Sequence, residues 1–262
     1  MTRAETALDA ATAGAAVAEN YYRTALDTET KGSELDFVTE ADTRSQRRVI
    51  EEIQSAYPDA TVVGEEADEL KTVPAGADCW VVDPIDGTSN FVHEIPVWCT
   101  TVAAIEDGES VGAATVAPAL GEVFTASERA ASRGDEPLTV SETTDLARFN
   151  TAAVLRYGPE RDESFGEFLS TLIVAFGDLR RFGCAQVTLA LVAAGSLDAA
   201  ASLQPDPNPW DTVAGVYLVE RAGGTVTDRH GDPWRPGSEG LVATNGQRHE
   251  AVLDVVRSTT TD

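Results

Sequence analysis

At 262 residues the chain is long enough to bury one large core or two smaller ones. Its 44 acidic residues against 19 basic ones leave a formal net charge of −25, which excludes a nucleic-acid surface, because phosphate backbones need basic patches. The acid is spread along the chain, and Lys31 and Lys71 are its only lysines. At ~1 M salt the Debye length is ~3 Å and self-repulsion is nearly silenced, so a halophilic, salt-rich setting is expected. Cys79, Cys99 and Cys184 have no paired spacing, which fits a reducing interior rather than a disulfide framework. With no signal pattern at the start and no apolar run near ~20 residues, a soluble cytoplasmic protein without a membrane partner is expected.

Residues 4–26 are alanine-rich and free of proline, with apolar positions recurring at three and four, which predicts a long amphipathic helix. Residues 28–36 are polar, contain Lys31-Gly32-Ser33, and read as a mobile loop. Asp36-Phe37-Val38-Thr39-Glu40-Ala41-Asp42 leads into a second helix that runs to about Tyr57, with Thr39 and Asp42 spaced as in a capping pattern. Residues 61–64 read as a short buried strand that ends in Glu65-Glu66; a solvated loop is the usual explanation of such a pair, and Asp68 and Glu69 nearby strengthen it. Residues 79–82 form an apolar run that delivers Asp83 to the carboxyl end of a buried strand. Pro84 lacks an N–H and is expected to stop the sheet pairing there. Asp86 follows, and Gly87-Thr88 open a helix with outward-facing N–H groups.

Strands are expected at 98–105, 110–117 and 122–126, with Asp107-Gly108 as a tight turn, so this run is antiparallel. Residues 131–146 read as irregular and mark a boundary inside one 1–262 domain, between halves at about 1–130 and 147–262. Beyond it, strands (151–155, 179–182, 197–203, Val226, 241–244) alternate with helices (161–176, 184–194, 210–222, 248–257). Gly183 opens the second of these helices, Pro209 suits the first turn of the third, and Gly223-Gly224 end it. Asp211 in that first turn complements the helix dipole whatever else it does.

Asp83 and Asp86 beside a helix N-terminus make a divided site. Carboxylates are hard oxygen ligands that suit Mg²⁺. The helix end suits an anionic oxygen such as phosphate. Together they point to metal-assisted phosphoryl hydrolysis. A strand ending in an Asp-Pro turn, with Asp86 as an N-cap, fits the same residues.

Gly64-Glu65-Glu66, then Asp83-Pro84-Ile85-Asp86-Gly87-Thr88-Ser89-Asn90-Phe91, then Trp210-Asp211-Thr212-Val213-Ala214-Gly215, together with the early 36–42 motif and Glu220-Arg221-Ala222-Gly223-Gly224, resemble the inositol monophosphatase family in order and spacing. The resemblance implies an α/β (α+β) fold, the layered α-β-α-β-α sandwich of sugar phosphatases. It implies two or three Mg²⁺ ions held by Glu65, Asp83, Asp86, Asp211 and the carbonyl of Ile85. A metal-activated water between Glu65 and Thr88 would attack phosphorus without a phosphoenzyme, with Thr88 oriented by Asp42. The phosphate would sit on Gly87 and Thr88. Lys31, eleven residues before Asp42, would lie in the family's mobile loop. The substrate's hydroxyl face would be lined by Gly183, Cys184 and Ala185, Cys184 replacing the commoner Ser or Thr, and by Gln204, where inositol-selective members often carry Glu. Arg180 and Arg181 can bind a second phosphate or simply end a strand in solvent.

The implied substrates are small sugar or polyol phosphates, with inositol monophosphatase activity, fructose-1,6-bisphosphatase activity or both, in a homodimer. Within the family, 3′-phosphoadenosine 5′-phosphate and histidinol phosphate are alternatives. A non-catalytic sugar-phosphate sensor would have lost an acid or Thr88, and all are present. A serine or cysteine hydrolase is disfavoured with only His93, His230 and His249 and no nucleophile elbow, and His93 reads as a rim or interface residue rather than a base. A zinc enzyme lacks a His/Cys ligand cluster.

Overall fold

The structure is a computed structural model that describes residues 1–23, 28–30, 37–66, 69–154, 163–203, 205 and 207–259. Helix α1 (Arg3–Glu19) starts at a capping box between Thr2 and Glu5. The short strands β1 (Thr28–Thr30) and β2 (Phe37–Thr39) pair antiparallel, so the stretch read as a loop contributes a strand at its start. Then follow α2 (Glu40–Ala56), β3 (Val62–Gly64), β4 (Cys79–Asp86), α3 (Thr88–Val92), β5 (Cys99–Glu106), β6 (Glu109–Ala117) and β7 (Glu122–Ser127). Strands β8 (Ala131–Arg133) and β9 (Glu136–Pro137) extend the sheet where irregular chain was expected; both are too short to show an alternation. The second half runs β10 (Asn150–Ala153), α4 (Glu163–Ala175), β11 (Asp178–Arg180), α5 (Ala185–Ala193), β12 (Ala199–Ser202), α6 (Pro209–Arg221), β13 (Thr225–Thr227), β14 (Leu241–Thr244) and α7 (His249–Arg257).

Among the described residues a seven-stranded sheet has the order β3-β4-β5-β6-β7-β8-β9, and a five-stranded sheet the order β11-β10-β12-β14-β13. The core sorts these into layers. One face of the large sheet (Val62, Trp80, Val82, Val102, Ala104, Ala114) packs on Ala7, Ala10 and Ala11 of α1 and on Val49 and Ile53 of α2. Its other face (Val63, Val81, Ala103, Ala113, Phe124) packs on α5 and α6, whose far side meets Ala152, Ala200 and Ala243 of the small sheet. The outer face of the small sheet (Ala153, Ala199, Ala201, Val242) is covered by Phe168 and Leu172 of α4 and Val252, Leu253 and Val256 of α7. The result is the α-β-α-β-α stack.

Small residues set the closest approach in the outer layer. A Cβ on Gly14 would lie 2.4 Å from Val49 Cγ2, so α1 and α2 pack nearly backbone to backbone. Ser45 Oγ lies 3.1 Å from the carbonyl of Gly14 across that seam and shares its one proton between that carbonyl and the one of Pro84.

Pro84 does not end β4. Pairing with β5 runs to Asp83↔Thr101, skips Pro84 and Ile85, and resumes at Asp86↔Cys99. The irregularity absorbs the missing N–H, as a bulge does. The Pro84 carbonyl accepts from Thr100 Oγ1 at 2.7 Å and Ser45 Oγ at 3.3 Å, so the skipped segment is held by side chains. The bulge is what lets Asp83 and Asp86, three residues apart on a strand, serve one site.

Candidate active site

β4 is buried along its whole length, so both of its carboxyl groups are held away from water. Carboxylate oxygens of Asp83, Asp86 and Asp211 lie within 4.8 Å of one another. Burial is the main force that raises the Asp83 carboxyl well above its ordinary range, and the charges of Glu65, Asp86 and Asp211 push it the same way. The structure thus brings three of the four predicted acids within ligand distance of one another; Glu65 lies outside that group, near enough for its charge to act on Asp83. Asp83 Oδ1 is fully buried and finds no hydrogen-bond partner among the described residues. A buried carboxylate oxygen left so is costly unless a cation faces it. The donors are hard oxygens, and the group can hold a divalent ion.

Each acid is positioned by its own element. Glu65 follows β3, and its loop is gripped twice. The Gln46 side chain of α2 exchanges two hydrogen bonds with the Glu66 backbone, donating to its carbonyl at 2.6 Å and accepting from its N–H at 2.9 Å. Lys71 Nζ donates to the carbonyls of Gly64 at 2.8 Å and Glu65 at 2.9 Å, and stands 5.8 Å from the ring centre of Trp210, next to Asp211. Asp211 enters from the first turn of α6, where Asn208 Nδ2 donates to its Oδ2 at 3.0 Å.

Asp86 Oδ2 accepts from the Gln186 N–H at 2.6 Å, in the first turn of α5, and from the Cys184 thiol at 3.0 Å. Burial raises the Asp86 carboxyl; the Cys184 thiol and the N–H groups of Gln186, Ala185 and Gly87 pull it back. The Gln186 amide reaches the other way, donating to the Trp210 carbonyl at 2.5 Å and accepting from the Gly215 N–H at 2.6 Å. One fully buried residue thus bonds Asp86 with its backbone and brackets Asp211 with its side chain.

Gly87 caps α3 in the left-handed region (φ 89°), with no room for a Cβ: Val97 O and Cys184 Cβ would lie 3.0 and 3.1 Å away. Thr88 Oγ1 is 2.9 Å from the Ile85 carbonyl and 3.5 Å from Asp42 Oδ1, and Asp42 is buried. The predicted Asp42–Thr88 relation is therefore long, and the hydroxyl's nearer acceptor is Ile85. Gly183 (φ 74°) and Cys184 lead into α5 against Gly87. Asn90 Nδ2 ties this edge together by donating to the carbonyls of Val97 and Phe182, each at 2.7 Å. Arg180 pairs with Asp178 at the end of β11, and Arg181, beside it, is exposed. His93 bonds the Ser89 carbonyl at 2.7 Å and is exposed. Asp36, Lys31 and Gln204 lie outside the described residues.

Sequence reasoning missed Gln46, Lys71 and Gln186. Lys71 carried a signal, as one of two lysines in a chain with 44 acids. The two glutamines carried none, because a buried amide has no characteristic spacing.

Residues 1–261 match the model of the inositol monophosphatase family. The chain is similar to a fructose-1,6-bisphosphatase/inositol-1-monophosphatase of Thermotoga maritima, 35% identical over 222 residues that cover 84% of this chain and 82% of that one. It is also similar to the Nus factor SuhB of Escherichia coli, 32% identical over 253 residues, covering 95% and 93%. Among solved structures, the Thermotoga maritima IMPase superposes with a TM-score of 0.89 at 30% identity, covering 99% of this chain and 98% of that one. The chain belongs to the inositol monophosphatase family and is a phosphomonoester hydrolase.

Proposed function

We propose that the protein is a Mg²⁺-dependent phosphatase of small sugar or polyol phosphates, with inositol monophosphate and fructose 1,6-bisphosphate as its leading substrates. The observation that carries this reading is the unpartnered, buried Asp83 Oδ1 in a cluster with Asp86 and Asp211, with the charge of Glu65 acting on it as well. Glu65, Asp83, Asp86, Asp211 and the Ile85 carbonyl would hold two or three Mg²⁺ ions, which would supply charge neutralisation, a grip on phosphate oxygens and a water of lowered pKa. The chain's own groups do the rest. Thr88 has one hydroxyl proton and two acceptors in reach. If the Ile85 carbonyl were engaged elsewhere, that proton would go to Asp42, and the oxygen's free lone pair could accept from a water. Glu65 would be the base that takes a proton from that water as it attacks. The N–H groups of Gly87 and Thr88 hold the phosphate.

The relative from Thermotoga maritima, whose name carries both activities, supports the dual reading. Cys184 stands where the resemblance expects a hydroxyl, but its thiol is buried and donates to Asp86, so it argues for no particular polyol. The working form we carry forward is a cytoplasmic homodimer. The test is a phosphate-release panel in high-salt buffer with Mg²⁺, comparing inositol 1-phosphate, fructose 1,6-bisphosphate, 3′-phosphoadenosine 5′-phosphate and histidinol phosphate. Release from the first two supports the reading. Release confined to either of the last two replaces the substrate class, and no Mg²⁺ dependence removes the metal from the scheme.

A further inference from the structure

Asp86 belongs to a second group of ligand atoms. Its Oδ2 lies 3.0 Å from Cys184 Sγ and 4.0 Å from Cys99 Sγ, and the two sulfurs are 3.7 Å apart. Neither cysteine is in a disulfide, and both are buried. A point ~2.1 Å from all three atoms exists in their plane, against ~2.0–2.2 Å for Zn–O and ~2.3 Å for Zn–S bonds. A tetrahedral ion with those bonds needs an S···S edge of ~3.8 Å and S···O edges of ~3.5 Å. The observed sulfur–sulfur edge is already there, and the two sulfur–oxygen edges straddle theirs. Two soft sulfurs and one carboxylate select a thiophilic ion over Mg²⁺.

We propose that Asp86, Cys99 and Cys184 form a tridentate site for a thiophilic divalent cation such as Zn²⁺, with a fourth position open to water, and that this ion competes with the carboxylate cluster for Asp86. Binding converts two thiols and one cation into two metal thiolates and releases two protons to the buffer; nothing is oxidised. The path is short. The Asp86 carboxyl lies within 4.8 Å of Asp83 and Asp211 as well as of both sulfurs, so an ion that reaches the acids has one carboxyl group to pass. The binding stands apart from the phosphatase reading; its inhibitory consequence rests on it.

The probe is Co²⁺ added to the metal-free full chain, read by absorption. The wild type should show thiolate-to-Co²⁺ charge transfer and the intense visible bands of tetrahedral Co²⁺. Cys99→Ala and Cys99→Ser should lose them, whereas Cys79→Ala, which removes the third cysteine, should keep them. In Mg²⁺-dependent phosphate release, the Cys99 variants should keep the uninhibited rate and need at least tenfold more Zn²⁺ for half inhibition. A pale octahedral Co²⁺ spectrum in the wild type overturns the site. So do tetrahedral bands that survive in both Cys99 variants. Altered Co²⁺ spectra with equal Zn²⁺ inhibition would keep the site and overturn the competition; a protein with no phosphatase activity would touch only the reading beneath it.

Discussion

Asp83→Asn should make the metal-free protein more stable while removing its response to Mg²⁺. Asp83 is buried, faces Asp86 and Asp211 within 4.8 Å, and has an oxygen with no partner among the described residues. At an effective dielectric of ~20, two full charges at that separation repel by about 3.5 kcal/mol. That figure is for one pair at the widest separation; the carboxyl relieves much of the repulsion by taking up a proton, which is why burial and its acidic neighbours raise it. Asparagine keeps the shape, removes the charge, and offers two N–H donors to the neighbouring carboxylates. A gain of about 1–3 kcal/mol in chelator follows, or a rise of a few degrees and at most ~10 °C in Tm for a chain of this size. The assay is thermal unfolding with chelator and with Mg²⁺, beside phosphate release. The wild type should gain Tm with Mg²⁺ through linkage, the variant should not, and its turnover should be lost. A metal-free Asp83→Asn protein less stable than the wild type, or one that still gains Tm with Mg²⁺, would refute the charge argument.

Gln186→Met keeps the volume but removes the bonds to Trp210 and Gly215; a cost of about 1–3 kcal/mol is expected. Mg²⁺ binding measured by calorimetry should weaken with it, and an unchanged Mg²⁺ affinity would end the idea that Gln186 spaces Asp86 from Asp211. Gly215→Ala would place a Cβ 2.6 Å from Leu189 Cβ and Cδ1 and 2.8 Å from Gln186 Oε1. Overpacking of about 1–3 kcal/mol should outweigh the better helix propensity of alanine, lowering both Tm and Mg²⁺ affinity. His249 is buried between the hydroxyls of Thr227 and Thr244, each at 2.9 Å, and burial depresses its imidazole below the ordinary 6.5, against the charge of Glu250. The unfolded chain therefore takes up the proton first: this contribution to stability is complete above about pH 6.5 and is lost as pH falls through the folded value. His249→Gln should flatten that acid limb of Tm against pH relative to the wild type, and superimposable limbs would contradict it.

The elements legible in the sequence were those with a strong period or a clear stop. The helix ended by Gly223, the turn at Asp107-Gly108 and the buried run from Cys79 all lie where pattern placed them. What pattern could not supply was continuity through Pro84. A proline argues locally against a strand, yet Thr100 and Ser45 donate to its carbonyl and the ladder resumes at Asp86. Those donors come from β5 and α2, far along the chain, so no window around Pro84 contains them. The same holds for β8 and β9, which are strands only because β7 offers them an edge.

The acids of the site could be read because each ends or begins an element, and their residue type announces the chemistry. Their supports could not. Gln46, Lys71 and Gln186 act through main-chain atoms of Gly64, Glu65, Glu66, Trp210 and Gly215, and any residue presents a carbonyl. Yet those bonds oppose a repulsion of kcal/mol size. Without a cation the acids push apart, and the fold holds them together only as firmly as these amides and one ammonium allow. A buried amide spans two backbones without adding a charge, whereas an arginine in its place would pair with the carboxylates and take over the cation's work. Uncharged glutamine as the brace beside Asp86 and Asp211 adds no cation of its own, so it holds the acids in place without competing with a metal for them.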